Sequence, residues 1–234
     1  MSRRPRISDE RGFSLPELLV AMFIGLIVLM AAFMLLDRSF SASGQIADRS
    51  EALQRGRQAM DLITRQLRSQ VCLGNTVPMV AGSDLSVTFY ADMTDGSTPI
   101  KKRTLSYDTT TDTITESIVP GAGTYPALTF TGAATSTPLL TKVDQILDGT
   151  PPATTPRPIF RYYGYTVGGT TGQLDLLPTP LSTANLSRVA VIKVGFRAFA
   201  ARTLTNDKDA AVLENDVYVR VTTATDFQNG PRCI

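Results

Sequence analysis

"RGFSLPELLVAMFIGLIVLM", residues 11–30, sets a single carboxylate, Glu17, at the start of a run otherwise suited to lipid. From Leu18 to Leu36, nineteen consecutive residues carry no charged or polar side chain. As a helix this run spans roughly 28 Å, about one hydrocarbon thickness. A soluble core helix seldom reads as apolar on every side. Arg3, Arg4, Arg6 and Arg11 precede the run, and Asp9 and Glu10 only partly offset them. The positive-inside tendency therefore keeps the N-terminus cytoplasmic and places everything after Leu36 outside.

The helical pattern continues past Asp37. Ile46, Leu53, Met60, Ile63, Leu67 and Val71 recur at helical spacing and mark one face. Asp48, Arg49, Glu51, Arg55, Arg57, Arg65 and Arg68 fall mostly elsewhere and are expected to be solvated. No proline lies between Pro16 and Pro78, although Gly25, Gly44 and Gly56 could soften the helix. One helix over 13–71 is predicted, apolar all round at first and then amphipathic, with "CLGN" (72–75) as its stop.

Beyond residue 72 the pattern changes to strands. "DLSVTFYAD" (84–92) alternates, and "KRTLSYDTTTDTITESIV" (102–119) reads as a hairpin about its polar centre. "RVAVIKVGFRAFAA" (188–201) and "NDVYVRVTTA" (215–224) read as a second hairpin, joined by "RTLTNDKDAAVLE". Residues 131–158, rich in Thr, Pro and Gly, read mostly as surface loop, with a helical turn at "TKVDQILDG" and Thr-Pro clusters open to glycosylation. The predicted fold class is α+β, a long N-terminal helix packed on an antiparallel, β-rich globular head.

Charge and chemistry exclude several functions. Beyond residue 12 the chain holds 19 basic and 19 acidic residues, so its net +2 belongs to the N-terminal segment. No global bias points to nucleic acid. Cys72 and Cys233 both fall on the extracytoplasmic side, where disulfides persist, and are predicted to pair across about 160 residues. Two unpaired buried thiols are the alternative. There is no histidine, hence no Ser-His or Cys-His pair and no histidine metal site. No catalytic residue, cofactor or metal is predicted. Asp92/Asp95, Asp108/Asp112 and Asp207/Asp209/Glu214/Asp216 sit among turn residues. Calcium at the last group would lack the ligand spacing of a calcium loop. "YTVGGTTG" (165–172) has no phosphate-loop lysine. "RYYGY" (161–165) suits DNA or sugar, or, more blandly, buried aromatics at a sheet edge.

Gly12-Phe13-Ser14-Leu15-Pro16-Glu17, followed by the apolar run, resembles the signal of type IV pilins and type II secretion pseudopilins. In that family a membrane-embedded prepilin peptidase cuts after the glycine and methylates the new amine. The resemblance therefore implies cleavage between Gly12 and Phe13, N-methylation of Phe13, and Glu17 as the fifth mature residue. Glu17 would then meet the terminal amine of a neighbouring subunit, setting register as two buried charges compensate each other. Pro16 departs from the commonest pattern, an aliphatic residue before the glutamate. It falls among the first helical residues, whose N–H groups have no intrahelical acceptor.

The resemblance implies four segments: a leader over 1–12, a transmembrane and filament-core helix over 13–36, its amphipathic half over 37–71, and a β-rich extracytoplasmic head over 72–234. Within the family the large head and the "LSYD…TITESIV" hairpin are most similar to PilW-type minor pilins and J-type pseudopilins. The implied role is a non-catalytic filament subunit. It starts as a single-pass protein of the cytoplasmic membrane with a cytoplasmic N-terminus. Its implied partners are other pilins or pseudopilins, the peptidase, an assembly platform protein and its ATPase, with DNA or a secreted substrate left open. A membrane-anchored binding module that never polymerises is the alternative, and an anchored acid-based hydrolase a third.

Overall fold

The computed structural model describes residues 14–92, 100–149, 155–166, 173–202 and 210–219. The chain divides into two compact units, Met1–Ile46 and Ala47–Ile234. Helix α1 runs Leu15–Arg68, 54 residues without a break. Its limits fall two to three residues inside the predicted ones.

In the second unit, residues 47–68 of α1 lie against two antiparallel sheets. The first contains β1 (Met79–Gly82), β2 (Ser86–Ala91), β3 (Lys101–Asp108), β4 (Thr113–Pro120) and β5 (Thr135–Thr141), paired in chain order. Next come β6 (Val143–Asp144) and a two-stranded ribbon of β7 (Leu147–Asp148) and β8 (Thr155–Pro156). The second sheet has β9 (Phe160–Tyr165), β10 (Leu174–Leu177), β11 (Val189–Ala198) and β12 (Ala211–Tyr218) in the order β10-β9-β11-β12. β6 pairs with the far end of β11, where Ala198 faces Val143. The architecture is α+β.

Alternation selects the inward faces. Val87, Phe89 and Ala91 of β2, Leu105 and Tyr107 of β3, and Ile114 of β4 are buried, with polar residues between them. Ile192, Val194, Phe196 and Ala198 of β11 form the inner face of the second sheet with Phe160 and Tyr162 of β9. Burying side chains of this size contributes about 1.5–3 kcal/mol each. Arg103 and Glu116 form an ion pair buried on the first sheet's inner face. The β3–β4 turn is closed by Asp108, which accepts hydrogen bonds from the Thr110 N–H at 2.8 Å and the Thr111 hydroxyl at 2.9 Å. The first of these, then the second, holds its carboxyl below the usual range.

Several expectations are corrected. The stretch 131–158 is not mostly loop: β5 is a full edge strand, and "TKVDQILDG" makes short strands rather than a helical turn. Pro138 lies within β5 because an edge strand can forgo one ladder donor. β12 begins at Ala211, inside the segment read as a connection. β9 is not at an edge, since β10 and β11 flank it on either side. A further strand, β1, precedes the alternating run at 84–92.

The buried stripe of α1 also differs. Met60, Ile63 and Leu67 are buried as expected, Leu53 is half-buried, and Ile46 is 72% exposed. The stripe begins instead with Ala52, Gly56 and Ala59. A Cβ at Gly56 would lie 2.5 Å from Leu213 Cδ1 and 3.1 Å from Ala198 Cβ, so glycine permits the close approach of helix and second sheet. Nor are the charged residues of this stretch simply solvated. Arg55 donates from Nη1 to the Phe199 carbonyl at 2.8 Å, and from Nη2 to the Thr141 carbonyl at 3.2 Å and hydroxyl at 3.0 Å. Glu51 accepts the Ala201 N–H at 3.1 Å, and Arg202 meets Asp48 at 3.2 Å. These side chains satisfy backbone groups where the β11 ladder ends.

Two testable consequences follow from the packing. Gly56→Ile should lower the unfolding free energy of the protein by about 1–3 kcal/mol in chemical denaturation, because the helix cannot retreat from Ala198 without losing its contacts. Tyr162 is fully buried and donates to the carbonyls of Ser83 (3.1 Å) and Ser86 (2.8 Å). Burial pushes the Tyr162 phenol well above its ordinary 10.0. A raised folded-state pKa means this contribution is intact below about pH 10 and fades as pH climbs past it. Alkaline unfolding followed by circular dichroism should therefore shift to higher pH in Tyr162→Phe, while neutral-pH stability falls by about 1–2 kcal/mol.

Candidate functional site: the first turns of the long helix

The site starts at Ser14, which is not helical. Its carbonyl accepts the N–H of Glu17 at 3.0 Å and of Leu18 at 3.2 Å, opening α1. Its hydroxyl donates to Glu17 Oε2 at 3.4 Å. Ser14 thus stands at the N-cap, with Leu15, Pro16 and Glu17 as the first three helical residues. The serine-x-x-glutamate spacing of Ser14 and Glu17, that of a capping box, is the sequence signal for this helix start. Pro16 forfeits no hydrogen bond, because N–H groups of a first turn have no intrahelical acceptor. Glu17 lies where the partial positive charge of the helix end favours a carboxylate.

After Glu17 the helix is long and apolar enough to cross a membrane, and none of its apolar window is buried. Leu19 is 61% exposed, Phe23 66% and Met34 64%. The exposure is on all sides of the helix. Water is a poor solvent for such a surface, far beyond the apolar patches ordinary on soluble proteins. Lipid or other apolar helices would cover it. A Cβ on Gly25 would meet nothing within 4 Å, so no packing inside this chain asks for a glycine there.

Of the residues singled out in the sequence, Glu17 is in the first turn and exposed. Cys72 is half-buried, four residues past the end of α1. Gly12, Phe13 and Cys233 lie outside the described residues, as do Asp95, Asp207 and Asp209 of the acidic groups. Among the described residues no three acidic or cysteine side chains gather into a metal-binding group. Glu214 meets Arg157 at 2.8 Å and also pairs with Arg161, and Asp216 meets Lys193 at 3.3 Å. The structure thus spends these two carboxylates on salt bridges. An open groove beside the last turns of α1 is lined by Asp61, Arg65, Arg68 and Asp92, carboxylates and guanidiniums together. Within "RYYGY", Tyr162 points into the core, while Tyr163 and Tyr165 are half-buried on the opposite face of β9.

Residues 7–33 match the prokaryotic N-terminal methylation motif. The match covers the Gly-Phe junction, Glu17 and most of the apolar run, the stretch on which the resemblance was read. No curated protein matches the chain significantly. The N-terminal segment thus carries the methylation motif found in type IV pilins and pseudopilins, and the match supports that family for the chain.

Proposed function

We propose that this protein is a non-catalytic subunit of a type IV pilus or of a related secretion or DNA-uptake filament. A prepilin peptidase removes the leader, residues 1–12, cutting between Gly12 and Phe13 and methylating the Phe13 amine. The carrying observation is the coincidence of the methylation motif with a helix that exposes apolar side chains all round and has one carboxylate in its first turn. Residues 13–36 hold the protein in the cytoplasmic membrane, N-terminus inside, until an assembly platform and its ATPase draw it into the filament. There they pack against the same segment of other subunits. Residues 37–71 carry the helix to its end at Arg68, and 72–234 form the extracytoplasmic head.

Glu17 supplies the assembly step. Cleavage leaves a cationic amine on Phe13, and bundling would bury it. Glu17 of the adjoining subunit neutralises it. The pair sets axial register, since a buried ion pair adds little net stability, whereas removing one partner strands the other at a cost of about 3–5 kcal/mol. The long helix with its β-rich head supports a PilW-type minor pilin or J-type pseudopilin as the kind of subunit. Cys72 and Cys233 close a disulfide, favoured by an oxidising compartment.

Intact-mass and N-terminal analysis of protein purified from its own cells tests the processing. The expected chain begins at Phe13, bears one methyl group, and gains the mass of two hydrogens on reduction. A chain that keeps Met1 or Ser2 would overturn the reading. Glu17→Ala should insert into the membrane normally, yet its amount in sheared filaments should fall by a factor on the order of ten or more. Wild-type incorporation of that variant would remove the pairing from the mechanism.

A further inference from the structure

The second sheet has two faces of different character. Leu213, Asn215 and Val217 of β12 turn towards α1: Asn215 donates to Thr64 Oγ1 at 3.0 Å, and Leu213 lies against Gly56. The alternate residues of the same strands form the other face. Near Gly195 that face is covered, because Ile146 and Glu214 lie within 3.2 Å of where a Cβ would stand. At the opposite end its outer members are exposed. There Leu176 pairs with Tyr163, Tyr163 with Val191, and Val191 with Tyr218, so one row crosses all four strands. Leu176 is 62% exposed and Tyr218 61% exposed. Val191 is buried between the two tyrosines.

The next row along the strands is charged, yet it carries no net field. Lys193 pairs with Asp216 and sits 5.7 Å from the centre of the Tyr163 ring, and Arg161 pairs with Glu214. A polyanion such as DNA would find its attraction cancelled here. The row is also a few side chains wide, against the 20–30 residues a side of a stable protein–protein interface. What fits is a narrow, uncharged strand with apolar faces and hydrogen-bonding edges.

We propose that this row binds a neutral, β-1,4-linked glycan strand. Tyr163 and Tyr218 are two strands apart, which sets them about 10 Å from each other. In a β-1,4-linked chain successive rings are flipped, and every second ring presents the same face at close to that repeat. One pyranose ring stacks by its C–H face on the exposed Tyr218, and the second ring along meets the half-buried Tyr163, on the ring surface that Lys193 leaves uncovered, with Leu176 extending the platform. Their equatorial hydroxyls reach Lys193, Asp216 and Arg161. The surface belongs to the head, so the proposal stands whether or not the chain polymerises.

Titrating the detergent-solubilised full chain with cellohexaose, followed by calorimetry and tyrosine-labelled NMR, tests it. The expected result is saturable binding that perturbs the Tyr163 and Tyr218 signals and weakens at least about tenfold in Tyr218→Ala and in Leu176→Ala. Val212→Ala, exposed on the same face of β12 but outside the row, should bind as wild type, which separates loss of the site from loss of the fold. No binding at millimolar cellohexaose would overturn the proposal, as would binding unaffected by Tyr218→Ala. Equal affinity for maltohexaose would overturn the spacing argument. Binding of a DNA dodecamer, or concentration-dependent self-association abolished by Tyr218→Ala, would assign the row to a different occupant.

Discussion

A helix that is apolar on every side cannot remain in water, and the rest of this molecule follows from that constraint. Between Leu18 and Leu36 α1 offers no polar face to solvate. Its surroundings must be lipid or other apolar helices. From Ala47 the same element becomes one-sided, because it now meets solvent on one face and protein on the other. One continuous backbone thus serves two solvents. The change of pattern occurs without a proline or any break in the helix, so the division is written wholly in side chains.

Within the second unit the helix is held by contacts of two kinds. Ala52, Gly56 and Ala59 let it lie close to the second sheet, and Met60, Ile63 and Leu67 fill the core farther along. Closeness alone would leave the chain after β11 with unsatisfied backbone groups. Arg55 and Glu51 supply those partners. The two sheets are linked in turn by Tyr162, whose hydroxyl reaches from β9 to the carbonyls of Ser83, after β1, and Ser86, the first residue of β2. A buried phenol is useful for such a link because it stays neutral throughout the physiological range and needs only acceptors.

What could be read from the sequence depended on whether the signal was local. The apolar run and its acid are local, and so is the β3–β4 hairpin, whose Asp108 and Thr111 close the turn within four residues. The amphipathic stripe was half legible. A search for large apolar residues finds Met60 and Leu67 but passes over Ala52 and Gly56, whose value lies in being small opposite Leu213 and Ala198. β5 was obscured by Pro138, which usually marks a loop and is tolerated here by an edge strand. Of β12 only the start was obscured, because 211–214 end in Glu214, a polar residue that pairs with Arg157 and Arg161 on one face of the strand. Arg55 and Glu51 find partners about 90 to 150 residues away, and nothing in their neighbourhood along the chain foretells that.

The period-two geometry of strands separates the demands on the head. Val217, Ile192 and Tyr162 belong to the core, and changing them disturbs the packing on which α1 depends. Their immediate neighbours Tyr218, Val191 and Tyr163 turn the other way. The outer row can therefore vary in shape and chemistry at little risk to the helix, provided that Val191 stays small enough for its flanking rings. The ion pairs beside it matter for the same reason. Because Lys193, Arg161, Asp216 and Glu214 neutralise one another locally, the proposed site would select ligands by contour and hydrogen bonding rather than by long-range attraction. For a chain held at a membrane through its apolar helix, as proposed, electrostatic steering would matter little, since confinement to one surface already raises the local concentration of whatever that surface presents.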